Sequence, residues 1–356
     1  MNKQTYPGIT CPNCGSGFVA HYLWGEPAFD ERLERELNEG KIVLGGCSIT
    51  ESSPEWKCNA CGCDFGRDTR VYATWLSKRS DQLKAVVYGA AVGDALGVPY
   101  EFKSRDTFEC EDMSEGGAHN VPKGTFSDDT SLLLATQDSI RSCEKIDVED
   151  MRTRFCQWLH DGRYTADGHV FDVGNTTAIA LNAGHGCDGE QDNGNGSLMR
   201  IAPLAFTCAT NDEIREVSAI THAHEISKEA CVLFVHLLRA VMEGGRYSLA
   251  DVLETRIPKD ERFRFLLGIA SWPREKVKSG GYVLDTLGAA LWCLQNTHDY
   301  KECVLEAVNL GSDTDTTACV AGALAGALYG FQDIPKEWLA DLRGKNVIDE
   351  VLGQRC

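Results

Sequence analysis

Apolar positions recur at helical spacing along most of this chain. Between residues 81 and 96, Leu83, Val86, Val87, Ala90 and Ala91 form one stripe, the three-to-four-residue recurrence that buries one face of a helix. The stripe runs into Gly97 and Pro99, residues that stop a helix. Similar patterns predict helices over 130–142, 148–160, 176–183, 212–224, 225–243, 282–295, 299–310 and 318–328, with a short helical tail over 335–352. In the 318–328 segment Gly322, Gly326 and Gly330 fall four apart, a small face that predicts close packing against a neighbour. Residues 105–124 and 184–196 are rich in Gly and polar side chains and read as loops. After residue 80 almost nothing alternates with the period of two that a strand needs. The first 70 residues differ, with a predicted helix at 31–37 and a predicted strand at 41–44. The expected architecture is an all-α helical domain over 80–356, preceded by a small α+β module over 1–70.

Composition changes this picture little. At 356 residues the chain suits one large domain or two, and 43% hydrophobic with 25% charged residues is a globular balance. No run of about 18 apolar residues occurs, so no membrane-spanning helix is expected. A formal charge of −18 argues against general affinity for nucleic acid, which needs a basic footprint. The segment Met1-Asn2-Lys3-Gln4-Thr5 carries no apolar leader pattern. With 16 cysteines in such a chain, a reducing, cytoplasmic setting is expected, in which thiols stay free or bind metal. Cys143, Cys156, Cys231, Cys293, Cys303 and Cys319 sit in apolar helical patterns, where Cys acts as a small hydrophobe.

Four cysteines stand apart. Cys11-Pro-Asn-Cys14-Gly15 and Cys58-Asn-Ala-Cys61-Gly62 are two Cys-x-x-Cys-Gly turns. Each sets two thiolates on one tight turn, with glycine where positive φ is needed. The pair predicts one structural zinc held by Cys11, Cys14, Cys58 and Cys61. The other use of Cys-x-x-Cys, a redox pair, needs a thioredoxin-like context. Cys47 and Cys63 are extra thiols, and Cys63 could exchange with a ligand. The module resembles a zinc ribbon. Its acids outnumber its bases, which favours protein contact or structural support over DNA binding.

Two further stretches carry candidate chemistry: Gly124-Thr125-Phe126-Ser127-Asp128-Asp129-Thr130 and Gly311-Ser312-Asp313-Thr314-Asp315-Thr316-Thr317. Each packs two carboxylates and several hydroxyls directly before an apolar helical run. Hard oxygen ligands at two helix mouths suit Mg²⁺ or Mn²⁺. Taken singly, each stretch reads first as a helix cap, because Ser and Asp accept the orphan N–H groups and acids complement the helix dipole. If the two converge, four carboxylates repel one another, and divalent cations would relieve the repulsion. Spacing alone does not decide this. Glu101, on the turn after the first helix stop, is by itself an ordinary surface acid. The Gly-rich loop at 186–196 offers backbone N–H groups to a phosphate or is a flexible surface loop. In Thr221-His222-Ala223-His224 neither histidine has an acid or Cys at zinc spacing, so each reads as a hydrogen-bonding residue.

Seven segments in one order go further. They are Gly-Asp-Ala-Leu-Gly-Val-Pro-Tyr-Glu (93–101), Phe-Ser-Asp-Asp-Thr (126–130), Phe-Asp-Val-Gly-Asn-Thr-Thr (171–177), Gly-Asn-Gly-Ser-Leu-Met-Arg (194–200), Thr-His-Ala-His (221–224), Gly-Tyr-Val-Leu-Asp-Thr-Leu (281–287) and Gly-Ser-Asp-Thr-Asp-Thr-Thr (311–317). Together they resemble the ADP-ribosylglycohydrolase family, and most of all its bacterial dinitrogenase-reductase-activating branch. The resemblance covers residues 80–333 and leaves out the cysteine module. It implies an orthogonal all-α helical bundle with two Mg²⁺ or Mn²⁺ ions in a cleft. The implied metal ligands are Ser127, Asp128, Asp129, Asp313, Asp315 and Thr316, with Ser127 where many relatives have Thr. Glu101 matches a mobile acid of the family. Gly194, Asn195, Gly196, Ser197 and Met199 match the loop that holds the ribose and diphosphate of ADP-ribose, and His222 matches a residue of the distal ribose pocket. Asp192 is placed like an acid implicated in some bacterial members.

The implied activity is hydrolysis at C1″ of ADP-ribose. Two cations would bind the ribose hydroxyls and orient a water, with Glu101, Asp128 and Asp315 as catalytic carboxylates. The expected substrate is an ADP-ribosylated acceptor such as a protein, and the expected state is a monomer. Arginine, serine, nucleic-acid base and small-metabolite linkages all stay open. Two rivals remain: a two-metal phosphohydrolase, because Asp-rich sites serve both chemistries, and a non-catalytic ADP-ribose-binding or adaptor protein.

Overall fold

In the computed structural model, which describes residues 5–6, 9–24, 31–45, 54–66, 69–207 and 209–353, the chain divides into two units, Met1–Ser80 and Asp81–Cys356. Cys47 lies outside the described residues. The first unit holds strand β1 (Val19–Leu23), helix α1 (Glu31–Asn38) and strands β2 (Ile42–Leu44), β3 (Trp56–Cys58) and β4 (Asp64–Phe65). The sheet order is β2-β1-β3-β4. β1 and β2 are parallel, and the other two pairs are antiparallel. Register sets Val19 opposite Cys58 and Trp56 opposite Phe65. Among the described residues its buried cluster is small: Cys11, Val19, Cys58, Cys63 and Phe65. A core of that size needs a staple to hold an independent fold.

Helix α2 (Thr69–Gly97) begins earlier than its apolar stripe suggested, since no Gly or Pro interrupts residues 69–80. It ends at the Gly97–Pro99 stop. The chain then forms α3 (Asp128–Cys143), α4 (Val148–Asp161), α5 (Asn175–Ala183), α6 (Asn211–Ser218), α7 (Glu225–Gly244), α8 (Ser248–Arg256), α9 (Val283–Asn296), α10 (Tyr300–Asn309), α11 (Thr314–Tyr329), α12 (Lys336–Asp341) and α13 (Lys345–Val351). Among the described residues beyond Ser80, β pairing is limited to isolated bridges. No described helix is long and apolar enough to cross a membrane.

Three differences from the sequence pattern have local causes. α6 stops at Ser218 because the next residues pair sideways: Cys187 and Ala223 exchange backbone hydrogen bonds with Thr221 and Cys187. The tail is two helices, divided by Gly344 at φ +67. α8 and a 3₁₀ stretch, Glu261–Ser271, fill a region whose sequence pattern was silent.

α11 is the central helix, apolar and buried nearly all round, as a helix enclosed by others must be. It packs on α3, α7, α9 and α10. Its small face meets α2 backbone to backbone. A Cβ on Gly89 would stand 2.4 Å from the Gly322 carbonyl oxygen, one on Gly93 2.1 Å from that of Ala318, and one on Gly97 2.3 Å from the Asp315 Cα. The two helices therefore run antiparallel at a separation only glycine allows. That approach carries Asp94, near the end of α2, to the mouth of α11.

Candidate active site

The two acid-rich stretches converge. Thr316 Oγ1 donates to Asp129 Oδ2 at 3.3 Å, joining the mouths of α11 and α3 directly. Ser127 caps α3, its Oγ accepting from the Asp129 N–H and donating to Asp129 Oδ2 at 3.0 Å. Asp313 occupies the same position before α11 but caps nothing. Its Oδ2 instead accepts from Asn195 Nδ2 at 2.8 Å. Helix capping thus accounts for Ser127 and fails for Asp313.

Asp94 completes the cluster from α2. Its carboxylate is fully buried and accepts from the Ser127 N–H, the Thr130 N–H and the Thr130 hydroxyl. Carboxylate oxygens of Asp94, Asp129 and Asp315 lie within 4.8 Å of one another. Asp129 Oδ1 and Asp315 Oδ2 are buried with no hydrogen-bond partner. Buried acceptors left open in this way are costly without a cation or donor. Burial pushes the Asp128, Asp129 and Asp315 carboxyls well above the usual range, and other acids of the site add to it: Asp94, Glu101, Asp172 and Asp313. Burial also raises Asp94, to about 6, against the hydrogen bonds it accepts. Converging carboxylates with open oxygens suit hard divalent cations.

The cluster opens on a cavity of about 200 Å³ lined by Glu101, Asp128, Asp172, residues 174–177, residues 194–196, Met199, His222, Asp313 and Thr316. Its floor is stitched by backbone. Asn195 N–H bonds to the Gly281 carbonyl and Val283 N–H to that of Asn193, while Asn195 Nδ2 also reaches Thr286. Gly196 must be glycine, because a Cβ there would stand 2.8 Å from His222 Cε1.

His222 is set from below. Arg200, wholly buried against the Phe155 ring, donates to the Val217 carbonyl and to Thr221 Oγ1. Thr221 Oγ1 lies 2.8 Å from His222 Nδ1. The same hydroxyl therefore joins the Arg200 guanidinium to the imidazole. Burial and the nearby Arg200 charge push the imidazole down to about 3, which favours the neutral ring. His224 points elsewhere, capping α7 and meeting Glu190.

Glu101 is held at the cleft by a residue the sequence did not single out. His119 Nε2 is 2.6 Å from Glu101 Oε2 and 3.7 Å from Asp172 Oδ1. Burial, then Asp172, Asp313 and Asp94, push Glu101 up to about 9.

Two expected residues stand off the cavity wall. The Ser197 side chain turns into the core, 3.0 Å from Ser218 Oγ and 3.4 Å from Cys231 Sγ. Asp192 holds its own loop, accepting from Gly189 N–H and, at 3.5 Å, from Thr176. Of the residues the sequence passed over, Asp94 carried a signal: a charge inside an apolar helical stripe is either paired or functional. Asp172 lay in a quoted segment without a role, and His119 lay in a polar loop with no signal.

In the first unit the four predicted thiols converge. Cys11 Sγ lies 3.6 Å from Cys61 Sγ, and Cys14 Sγ 3.5 Å from Cys58 Sγ. A tetrahedral ion with metal–sulfur bonds of about 2.3 Å sets its sulfurs roughly 3.8 Å apart. The two turns are built alike: Gly15 N–H bonds to the Cys11 carbonyl and Gly62 N–H to that of Cys58, with both glycines at positive φ.

The class this geometry defines is a helical protein whose buried carboxylate cage opens on a glycine-lined small-molecule cleft. A family model described as ADP-ribosylglycohydrolase matches residues 76–355. The ADP-ribosylarginine hydrolase Tri1 of Pseudomonas putida (strain GB-1) is 34% identical, covering 91% of this chain and 88% of its own length. That match necessarily reaches into the first unit. The ADP-ribosyl-[dinitrogen reductase] glycohydrolase of Rhodospirillum rubrum is 30% identical over 74% of this chain and 90% of its own length. A solved structure titled ADP-ribosylglycohydrolase-related protein complex superposes with a TM-score of 0.67 at 31% identity, covering 78% of this chain and 98% of that one. The chain belongs to the ADP-ribosylglycohydrolase family, a family of hydrolases that act on ADP-ribose glycosidic bonds.

Proposed function

We propose that this chain hydrolyses the N-glycosidic bond joining ribose C1″ of ADP-ribose to an arginine side chain of a modified protein. The observation that carries this reading is the pair of open, buried oxygens, Asp129 Oδ1 and Asp315 Oδ2, on carboxylates that approach within 4.8 Å at two helix mouths beside the cleft. The arginine linkage draws support from the Pseudomonas putida relative's name. Ser127, Asp128, Asp129, Asp313, Asp315 and Thr316 would hold two Mg²⁺ or Mn²⁺ ions. Bound there, the ions would supply positive charge for the ribose hydroxyls and acidify a water for attack at C1″.

The rest falls to the protein's own groups. Asn195 fixes Asp313 through one amide hydrogen and Thr286 through the other. Asp94 fixes the mouth of α3. The Gly194–Gly196 backbone lets the diphosphate approach closely, and Met199 packs beside it. His222 presents its free ring nitrogen, Nε2, to the ribose hydroxyls. Glu101, whose carboxyl is raised by burial above the usual range, lines the cleft and gives a proton to the departing guanidine nitrogen as the C1″–N bond breaks. The oxocarbenium charge that develops is stabilised by the carboxylates of Asp128 and Asp315. Water adds to C1″ and returns a proton to the Glu101 carboxylate, releasing ADP-ribose and unmodified arginine.

Cys11, Cys14, Cys58 and Cys61 would hold one zinc, with residues 1–70 as a separate module from a catalytic domain at 80–356. The test is release of free ADP-ribose from an ADP-ribosylarginine peptide, lost on chelation and restored by Mg²⁺ or Mn²⁺. Phosphate as the product would favour the phosphohydrolase, and tight binding without turnover a non-catalytic binder.

A further inference from the structure

The mouth of the cleft carries side chains that the hydrolysis reading leaves largely unused. His119 sits over Glu101 and Asp172, both of which line the cleft. Its ring lies 5.1 Å from that of Phe171 and 6.1 Å from that of Phe102. Phe102 is 69% exposed, although an aromatic ring on the surface beside an acid forfeits burial energy. It is also held at φ +66, a conformation that is strained for a residue of this size. Backbone hydrogen bonds keep it there: Phe102 N–H to the Ser312 carbonyl and Ser312 N–H to that of Lys103, both 2.8 Å. Asp172 also stands at positive φ, +53. Two strained residues thus present a ring and a carboxylate at one opening, and strain of this kind persists where the surroundings enforce it.

We propose that Asp172, Glu101, Phe102 and Phe171 form the acceptor-side subsite, and that it reads the planar guanidinium of ADP-ribosylated arginine in the seat the His119 imidazole holds in the free protein. This rests on the arginine-hydrolase reading above and adds the residues that select that linkage. Imidazole and guanidinium share the needed shape, a flat ring or fork with N–H donors at its edge. Guanidinium has more donors, in a geometry that matches a carboxylate. Its charge suits the two rings that border the seat at tilts of 45° and 55°, since a cation near an aromatic ring is attracted by the ring quadrupole. The neutral ether oxygen of a serine linkage offers this seat neither charge nor plane. Substrate entry therefore moves His119 off Asp172, and Glu101 is freed beside the nitrogen it protonates.

The test uses the full-length, metal-loaded protein and two peptides, one ADP-ribosylated on arginine and one on serine. The wild type is expected to prefer the arginine peptide by kcat/KM. Asp172→Asn should lower that preference by about tenfold, the usual weight of a charge-assisted pair. Phe102→Ala, a surface change with little risk to folding, should raise KM for the arginine peptide several-fold with a smaller effect on kcat. Agmatine serves as a probe independent of turnover. By calorimetry it should bind more tightly than neutral butylurea, and more tightly still to His119→Ala, where the seat is vacant. Agmatine binding no better than butylurea, agmatine binding weakened by His119→Ala, or a linkage preference unmoved in both Asp172→Asn and Phe102→Ala each overturns the subsite. A wild type that binds agmatine as described yet releases ADP-ribose from neither peptide defeats the hydrolase reading alone.

Discussion

The thiol cluster and the carboxylate cluster are both shaped for metal, and they are built in opposite ways. The thiols come from two copies of one local turn, each closed by its own glycine and its own backbone hydrogen bond. Among the described residues they belong to a small cluster, with Cys11 and Cys58 buried beside Val19, Cys63 and Phe65, and Cys14 and Cys61 partly buried against it. The carboxylates come from α2, α3, the loop before α11 and α11 itself, and they are embedded in a large helical core. Metal-free thiols can share their protons: burial raises Cys14, with its neighbours, to about 12, while hydrogen bonds from Cys11 and Cys58 lower Cys61. Metal-free buried carboxylates must either hold raised, unwanted protons or repel one another. In the first cluster the ion would hold the fold together. In the second, the fold holds open a place for the ion at a cost in its own stability.

The largest expected effect breaks this symmetry at the carboxylates. Asp315→Asn keeps the acceptor that receives the Thr316 N–H and removes the charge. It should lower kcat/KM for ADP-ribose release about 10³-fold, or roughly 4 kcal/mol of transition-state stabilisation. In metal-free protein at pH 7.5 its melting temperature should equal or exceed that of the wild type, because one repelling charge is gone. A drop of more than a few degrees would show that Asp315 serves the fold. Cys58→Ser should do the converse. Amide hydrogen exchange across residues 9–66 should lose its protection, since structural zinc contributes much of the folding energy of a small module. ADP-ribose release should change by less than about threefold, as an independent second unit requires.

How much of this was legible in the sequence follows from the same contrast. The thiol turns could be read from residues a few positions apart, because the chemistry and the geometry are both local. The mouths of α3 and α11 could be read as acid-rich stretches before apolar runs, and the spaced glycines announced that α11 would meet a neighbour. That the neighbour is α2 could not be read, since Gly89 and Gly93 acquire meaning only against Gly322 and Ala318. The two acid stretches lie nearly two hundred positions apart, so their convergence was open until Thr316 was seen to bond to Asp129. Ser197 shows the reverse failure. Its segment matches a ligand-holding loop, yet the turn that brings Asn195 and Met199 to the cleft sends the Ser197 hydroxyl to Ser218 and Cys231. His119 belongs to the cleft through loop geometry alone, and no periodicity encodes that.

A smaller effect appears as a pH dependence and sharpens the same comparison. Asp94 has a folded value of about 6 against an ordinary 3.8, and burial raises Asp128, Asp129 and Asp315 as well. The metal-free native protein therefore binds more protons than the unfolded chain. Its stability should fall as pH rises through about 4 to 7. A divalent cation replaces those protons and restores the loss. The melting temperature gained on adding Mg²⁺ or Mn²⁺ should grow across that range by several degrees, as scanning calorimetry at pH 5, 6 and 7 would record. A gain that is flat or shrinks with pH would separate cation binding from the buried acids.

The smallest effect concerns Cys63, a further thiol of the first unit. Cys63 is fully buried and close enough to Cys11 and Cys61 to affect their protonation, so spacing alone leaves it a rival ligand. The geometry separates it from the four. Their sulfurs come within 4.8 Å of one another as a set, whereas Cys63 Sγ donates to the Asp64 carbonyl at 3.5 Å. Its backbone also closes the second turn by accepting from the Cys58 N–H at 2.7 Å, a bond that survives any change of side chain. Cys63→Ser should therefore keep one zinc per chain by elemental analysis and lower the stability of the first unit by about 1 kcal/mol, the weight of a small polar substitution in a core. Cys58→Ser should lose the zinc. Loss of zinc from both variants alike would make Cys63 a ligand, and the thiol cluster would then be no more local than the carboxylate one.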